Sequence, residues 1–254
     1  MVIERIEPNS HDLLEADGID KAFGGLKAVN EASFRVESGS ITALIGPNGA
    51  GKTTAFNMVS GVLRPDAGSI RLGGDEITRL APHQIAAMGV SRTFQITRGL
   101  SHLTVLENMI AAAPPRRLRG LFASKMARHE VDRAMNLLEF VGIDHLAEAE
   151  AQELSYGQRK LLEFASSIMP EPSLVLLDEP AGGVNPALLE RIVDRIRELR
   201  ESGITFLIVE HNMDMVMKLC DSVVVMAHGT VLTQDTPTRV RNDPIVLDAY
   251  LGKV

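Results

Sequence analysis

ITALIGPNGAGKT, Ile41 to Thr53, runs a β-branched apolar stretch straight into a glycine-rich loop that ends in a lysine and a threonine. Ile41 to Ile45 has the composition of a buried strand, and Thr54 to Val59 continues as a helix, so the loop lies where strand turns into helix. That context is the one a phosphate cradle requires. The spacing Gly46-x-x-x-x-Gly51-Lys52-Thr53 lets the backbone curl until successive N–H groups point inward. The helix N-terminus adds partial positive charge, and the Lys52 ammonium can reach the β- and γ-phosphates of a nucleotide. The Thr53 hydroxyl is placed to ligate magnesium. The nucleotide-binding set read from this stretch is Gly46, Pro47, Asn48, Gly49, Ala50, Gly51, Lys52, Thr53 and Thr54.

Further along, LVLLDEP (Leu174 to Pro180) ends an apolar run on two carboxylates. Asp178 at the strand end suits a hard cation that keeps several waters, a second magnesium ligand beside Thr53. Glu179 follows where the chain leaves the strand, and is assigned as general base or water-orienting group. His211 lies past a second apolar strand, Ile204 to Val209, and is assigned to the γ-phosphate, Glu179 and the attacking water. Gln95, after Ser91 to Phe94, offers an amide oxygen to magnesium or water; its spacing alone supports that role no better than a structural one. No Asn-Lys-x-Asp string reads a guanine base, and a small-molecule kinase has no need of LSYGQ (Leu154 to Gln158).

The periodicity divides the chain. Ala32 to Val36 alternates, Pro65 to Gly68 marks a turn, and Ser69 to Leu72 reads as a short strand, so a small antiparallel sheet is expected beside a parallel one. Thr104 and Glu107 have capping-box spacing, and Val131, Ala134, Leu138 and Val141 share a helical face stopped by Gly142. Leu161, Leu162, Ala165 and Ile168 form another stripe, ended by Pro170 and Pro172. Asn185-Pro186 starts a further helix, and Val223 to Met226 with Val231 to Thr233 reads as a late hairpin. The expected architecture is α/β: a P-loop core with a mostly parallel sheet and a small antiparallel subdomain, carrying an inserted α-helical subdomain. The expected divisions are 1–96 and 172–254 for the core and 97–171 for the helical insert.

The chain has 254 residues, 45% hydrophobic and 23% charged, with a formal net charge of −7. That balance argues against nucleic acid as the main partner, because phosphate backbones are held chiefly by Lys and Arg. Arg116, Arg117 and Arg119 cluster after Pro114-Pro115 and read as a solvated loop. Cys220 is the only cysteine, which excludes an internal disulfide and a multi-cysteine metal site. No apolar run reaches membrane-spanning length, and MVIERIEPNSHD is too polar for a signal peptide, so a cytoplasmic location is expected.

Taken in order, Phe23, the Gly46–Thr53 loop, Gln95, LSYGQ, Asp178-Glu179, the Ala181–Asn185 turn and His211 make the chain resemble the ATP-binding subunit of ABC transporters over essentially its whole length. The resemblance implies ATP and Mg2+ as cofactors and a head-to-tail dimer with an identical or homologous ATPase subunit. In that dimer Ser155, Tyr156, Gly157 and Gln158 form the signature that meets the partner's nucleotide, with Ser155 and Gly157 at its γ-phosphate. It implies integral membrane permease subunits as partners, a solute-binding protein indirectly, and a place on the inner face of the membrane. Phe23 matches the aromatic that stacks on adenine, with a core phenylalanine as the competing reading.

Two positions depart from the family pattern. Tyr156 stands where a glycine is usual and must point away from the phosphate; Asn185 stands where many relatives carry Asp. FGGLKAV, RTFQ, LSYGQ, AGGVNP and AYLG are most similar to the ATPases of branched-chain amino acid importers. Urea and amide importers and the lipopolysaccharide-export ATPase are similar in parts. A soluble ABC ATPase such as an iron–sulfur assembly factor is the remaining alternative.

Overall fold

The computed structural model describes residues 12–93, 100–113 and 123–250, with residues 123–127 described by backbone alone. Gln95, the arginines at 116, 117 and 119, and Leu251-Gly252 of AYLG lie outside the described residues. In chain order the elements are β1 (Asp12–Phe23), β2 (Leu26–Glu37), β3 (Ile41–Ile45), α1 (Lys52–Val59), β4 (Ala67–Leu72), β5 (Asp75–Glu76), α2 (Pro82–Ala87), β6 (Val90–Arg92), α3 (Val105–Ala111) and α4 (Ala123–Val141). They continue with α5 (Tyr156–Ile168), β7 (Leu174–Asp178), α6 (Pro186–Glu201), β8 (Thr205–Val209), α7 (Met213–Leu219), β9 (Ser222–Ala227), β10 (Thr230–Asp235), α8 (Pro237–Arg241) and α9 (Pro244–Tyr250).

Continuous apolar runs become the inner strands of a sheet ordered β10-β9-β3-β8-β7-β6. Every neighbouring pair in it is parallel except β9 with β10, which is the expected late hairpin. All five residues of β3 and of β8 are buried, as strands covered on both faces must be. The two-residue period then sorts their side chains between two cores. Leu174, Leu176, Leu207 and Val209 join α1 and the antiparallel sheet, packing with Phe34, Phe56 and Ile70. Val175, Leu177, Phe206 and Ile208 face the other way, onto helical residues such as Leu138, Leu162, Ala165 and Ile196. Each fully buried Val, Leu or Ile side chain contributes about 1.5–3 kcal/mol, so this partition fixes the register strongly.

The flanking strands form the expected antiparallel sheet, ordered β2-β1-β4-β5. Its centre, β1, escaped the sequence reading. Its buried residues Leu14, Ala16 and Ile19 lose the two-residue period because the register with β2 shifts between Ala16 and Ile19.

Between β6 and β7 the described α-helices are α3, α4 and α5, with short 3-10 turns at Asp144–Leu146 and Ala151–Glu153. Thr104 and Glu107 form the expected capping box: Thr104 Oγ1 accepts from the Glu107 N–H at 3.1 Å, and Glu107 Oε2 accepts from the Thr104 N–H at 2.8 Å. Asn185 caps α6 by accepting from the Leu188 N–H at 2.9 Å. Either Asn or Asp can supply that oxygen, which accounts for the departure at this position.

The order of strands decides where chemistry can occur. β8 lies between β3 and β7, with Val209 paired to both Leu44 and Asp178. The loops that leave the carboxyl ends of β3, β7 and β8 therefore share one edge.

Candidate functional site

The loop after β3 is built against β9. Gly46 has φ 148°, and a Cβ there would sit 2.0 Å from the Met226 carbonyl oxygen, so only glycine lets the chain pass this close. The loop closes on itself through the Ala50 N–H to the Pro47 carbonyl at 3.2 Å, and its exit is pinned by the Gly229 N–H to the Ala50 carbonyl at 3.1 Å. Gly51 is the N-cap of α1 and makes no side-chain cap, so no capping side chain competes for the donors of its first turn. Asn48, Gly49 and Thr53 are exposed on this surface, while Ala50 is buried and Pro47 and Thr54 are half-buried.

Lys52 turns back over the loop, donating from Nζ to the carbonyls of Gly46 at 2.7 Å and Pro47 at 3.0 Å. Partial burial holds its ammonium below the ordinary lysine value of 10.5, and the nearby Glu179 carboxylate opposes that shift. Lysine loop and carboxylate edge thus act on each other electrostatically.

On that edge, Asp178 ends β7 with its carboxylate one-third exposed. Arg92 reaches Asp178 Oδ2 at 3.2 Å while donating to Asn57 Oδ1 at 2.6 Å and Ser60 Oγ at 3.1 Å, its guanidinium lying 4.7 Å from the centre of the Phe56 ring. The Asp178 N–H donates to Thr93 Oγ1 at 3.3 Å. Glu179 adopts φ 47°, a left-handed conformation that costs a non-glycine residue about 1–3 kcal/mol. Its N–H donates to the Val209 carbonyl at 2.9 Å, and its own carbonyl accepts from the Gly182 N–H at 2.9 Å. The result is a half-exposed carboxylate whose Oε1 lies 3.7 Å from Nδ1 of His211. A cleft of about 610 Å³ opens beside Asp178 and Glu179, bordered by Asn57, Arg92 and Tyr156.

Two side chains of this region went unassigned in the sequence reading. One is Arg92. The other is Glu210, 1% exposed at the end of β8, whose carboxylate accepts from the backbone N–H groups of Ala181, His211 and Asn212. The strand-end position of Glu210 was visible, but nothing local in sequence separates it from a solvated turn residue.

LSYGQ opens α5. Ser155 is its N-cap: Oγ accepts from the Gln158 N–H at 3.3 Å, and Gln158 Oε1 accepts from the Ser155 N–H at 2.8 Å. Tyr156 is half-exposed and donates from its hydroxyl to the Gly182 carbonyl at 2.9 Å, so it turns toward the chain's own Ala181–Asn185 segment. A Cβ on Gly157 would meet Leu188 Cδ2 at 2.6 Å, which gives this glycine a packing reason within the chain as well. Phe23 ends β1 with half its surface exposed, which sets aside the core reading. The neighbouring β2 backs the loop, since the Ala28 carbonyl lies where a Cβ on Gly51 would fall, at 2.4 Å.

Thr53 is exposed in the first turn of α1 and Asp178 one-third exposed at the end of β7, and both suit magnesium in kind. Thr53 and Asp178 offer hard oxygens, and no cluster of three or more His, Cys, Asp or Glu exists among the described residues to cage a softer ion.

Comparison with known proteins gives the family. Residues 29–182 match the family model described as ABC transporter. The chain is 43% identical over 245 residues to the probable branched-chain amino acid transport ATP-binding protein LivG of Archaeoglobus fulgidus, covering 94% of this chain and 95% of that one. It is 40% identical over 253 residues to the high-affinity branched-chain amino acid transport ATP-binding protein BraF of Pseudomonas aeruginosa, covering 96% and 99%. Among solved structures, a nucleotide-free ATP-binding cassette from an ABC transporter aligns with a TM-score of 0.84 and 36% identity, over 94% of this chain and 98% of that one.

Proposed function

The chain belongs to the ABC transporter ATP-binding family, and from that premise we propose that it hydrolyses ATP to drive import of branched-chain amino acids through membrane permease subunits. The observation that carries the chemistry is the meeting of Lys52, Asp178, Glu179 and His211 on one sheet edge, with His211 Nδ1 3.7 Å from Glu179 Oε1. In this reading Lys52 leaves the Gly46 and Pro47 carbonyls for the β- and γ-phosphates, joined by loop N–H groups and the start of α1. Thr53 and Asp178 hold magnesium, with Gln95 as a further oxygen donor. Bound magnesium supplies charge neutralisation on the phosphates. Glu179 orients the water and takes its proton, and His211 keeps that carboxylate in register with the terminal phosphate.

Phe23 stacks on the adenine ring. The start of α5, with Ser155, Tyr156, Gly157 and Gln158, completes the site of a second ATPase subunit, and that subunit's α5 completes this one. Closure of the pair on ATP and its opening after hydrolysis form a two-state element biased by the γ-phosphate. The helical segment between β6 and β7 carries that motion to the permease. Attachment to the inner face of the membrane runs through those partners; no helix among the described residues is long and apolar enough to cross a membrane. A solute-binding protein is the indirect third component.

Identity of about 40% over nearly the full length of amino acid transport subunits supports the choice of solute. The test is reconstitution of the chain with its co-purifying membrane proteins in liposomes. ATP-driven uptake of leucine, isoleucine and valine, abolished by Glu179→Gln, is expected. Capture of no membrane protein would overturn the transport role, and uptake of urea or another solute in place of the amino acids would overturn the substrate.

A further inference from the structure

Glu210 is a carboxylate buried to 1% exposure at the point where β8 becomes the loop carrying His211. Oε1 accepts from the Ala181 N–H at 2.8 Å; Oε2 accepts from the N–H groups of His211 at 2.7 Å and Asn212 at 2.8 Å. Ala181 stands two residues beyond Glu179. The residue before Glu210, Val209, holds the Glu179 N–H through its carbonyl at 2.9 Å. Val209 and Glu210 together therefore grip the backbone on both sides of Glu179, and the same carboxylate fixes the backbone of His211. The His211 ring itself is 3.9 Å from Glu210 Oε2, beyond hydrogen-bonding distance, so the grip acts through the main chain.

Burying a carboxylate is costly unless both oxygens are occupied, and a well-packed apolar side chain usually serves stability as well or better. What an apolar side chain cannot do is bind N–H groups from two separate loops at once. We propose that Glu210 is a positioning residue for hydrolysis. It sets the spacing between Glu179 and His211 without touching nucleotide, and holds Glu179 in its left-handed conformation. The proposal rests on the roles given above to Glu179 and His211.

Glu210→Gln has the same shape but one acceptor oxygen, so one of the two loops must face an NH2 group. Wild type, Glu210→Gln, Glu210→Asp, His211→Ala, Glu179→Gln and the Glu210→Gln/His211→Ala pair are compared in the assembly that supports turnover. Single-turnover phosphate release gives the residual rates, with KM for ATP, affinity for a fluorescent ATP analogue and thermal stability measured alongside. A misplacement of this kind costs about tenfold to a hundredfold in kcat. That loss is expected for Glu210→Gln with KM and affinity unchanged, and with partial recovery in Glu210→Asp, which keeps both oxygens. Added to His211→Ala, Glu210→Gln should cost less than it costs alone, because the His211 half of the shared unit is already lost and only the hold on the Glu179 loop remains to be spoiled.

Wild-type kcat in Glu210→Gln would overturn the proposal. So would a loss that multiplies with that of His211→Ala, or a fall in nucleotide affinity and stability that tracks the fall in kcat. If Glu179→Gln abolishes turnover while Glu210→Gln does not slow it, only the role of Glu210 fails. If Glu179→Gln turns over normally, both readings fail.

Discussion

The hydroxyl of Tyr156 donates a 2.9 Å hydrogen bond to the carbonyl of Gly182, joining the first turn of α5 to the segment that follows Glu179 in the same chain. The ring lies over Gly183, where a Cβ would stand 3.1 Å from Tyr156 Cε1. An aromatic residue is therefore accommodated by turning it inward onto a glycine pair, which leaves the Ser155 side of the helix start facing out. The Tyr156 ring is thus held by Gly182 and Gly183 of its own chain.

Tyr156→Phe removes that hydrogen bond and keeps the ring. A single such bond contributes about 0.5–1.5 kcal/mol, and partial exposure places this one at the low end. Thermal unfolding should show a small loss, with unchanged affinity for nucleotide at the Lys52 loop and slower turnover. Unaltered stability and turnover together would show that the link is idle.

Gly46→Ala places a methyl group 2.0 Å from the Met226 carbonyl oxygen, at a φ of 148°. Neither backbone can yield without moving the phosphate loop off β9. A destabilisation of about 2–4 kcal/mol is expected, with a loss of ATP affinity, read by denaturant unfolding and nucleotide titration. Wild-type affinity would mean that the loop tolerates displacement.

Arg92→Lys should behave almost like Arg92→Ala. The guanidinium spans Asn57, Ser60 and Asp178 while lying against Phe56, a geometry that a single ammonium cannot reproduce. Each variant should lose about 1–3 kcal/mol in chemical denaturation. Full stability in the lysine variant would reduce Arg92 to a simple positive charge.

Cys220 offers a check on burial near α7. Desolvation, aided by the Asp221 and Glu210 carboxylates, pushes its thiol from an ordinary 9.0 to about 12. Raising the pKa of an acid keeps it protonated, so at pH 8 the thiolate population falls about a thousandfold below that of a free thiol. Alkylation of the folded protein at pH 8 should be correspondingly slow and should accelerate on unfolding. Rapid labelling in the native state would contradict this environment.

What the sequence made legible is what is local. Strand, glycine loop and helix follow one another within Ile41 to Val59, Asp178 falls at the end of an apolar run, and the caps at Thr104 and Asn185 depend on residues three positions away. Longer-range arrangements were not legible. The partners of Arg92 lie 32, 35 and 86 positions off, and the Ala181 N–H held by Glu210 is 29 positions off and belongs to the main chain. A side chain whose work is to bind backbone from another loop leaves no pattern in composition or period. β1 was lost for a different reason, its bulge, and the short helices α7 to α9 are too brief to show a helical period.

The central claim is that Glu179 acts on water beside a nucleotide held by the Lys52 loop. Its most direct test is phosphate release and ATP affinity measured side by side for wild type and Glu179→Gln. Loss of a general base predicts a fall of about 10²–10⁴-fold in kcat, with ATP bound as tightly as before or more so. Hydrolysis by Glu179→Gln near the wild-type rate would contradict the account.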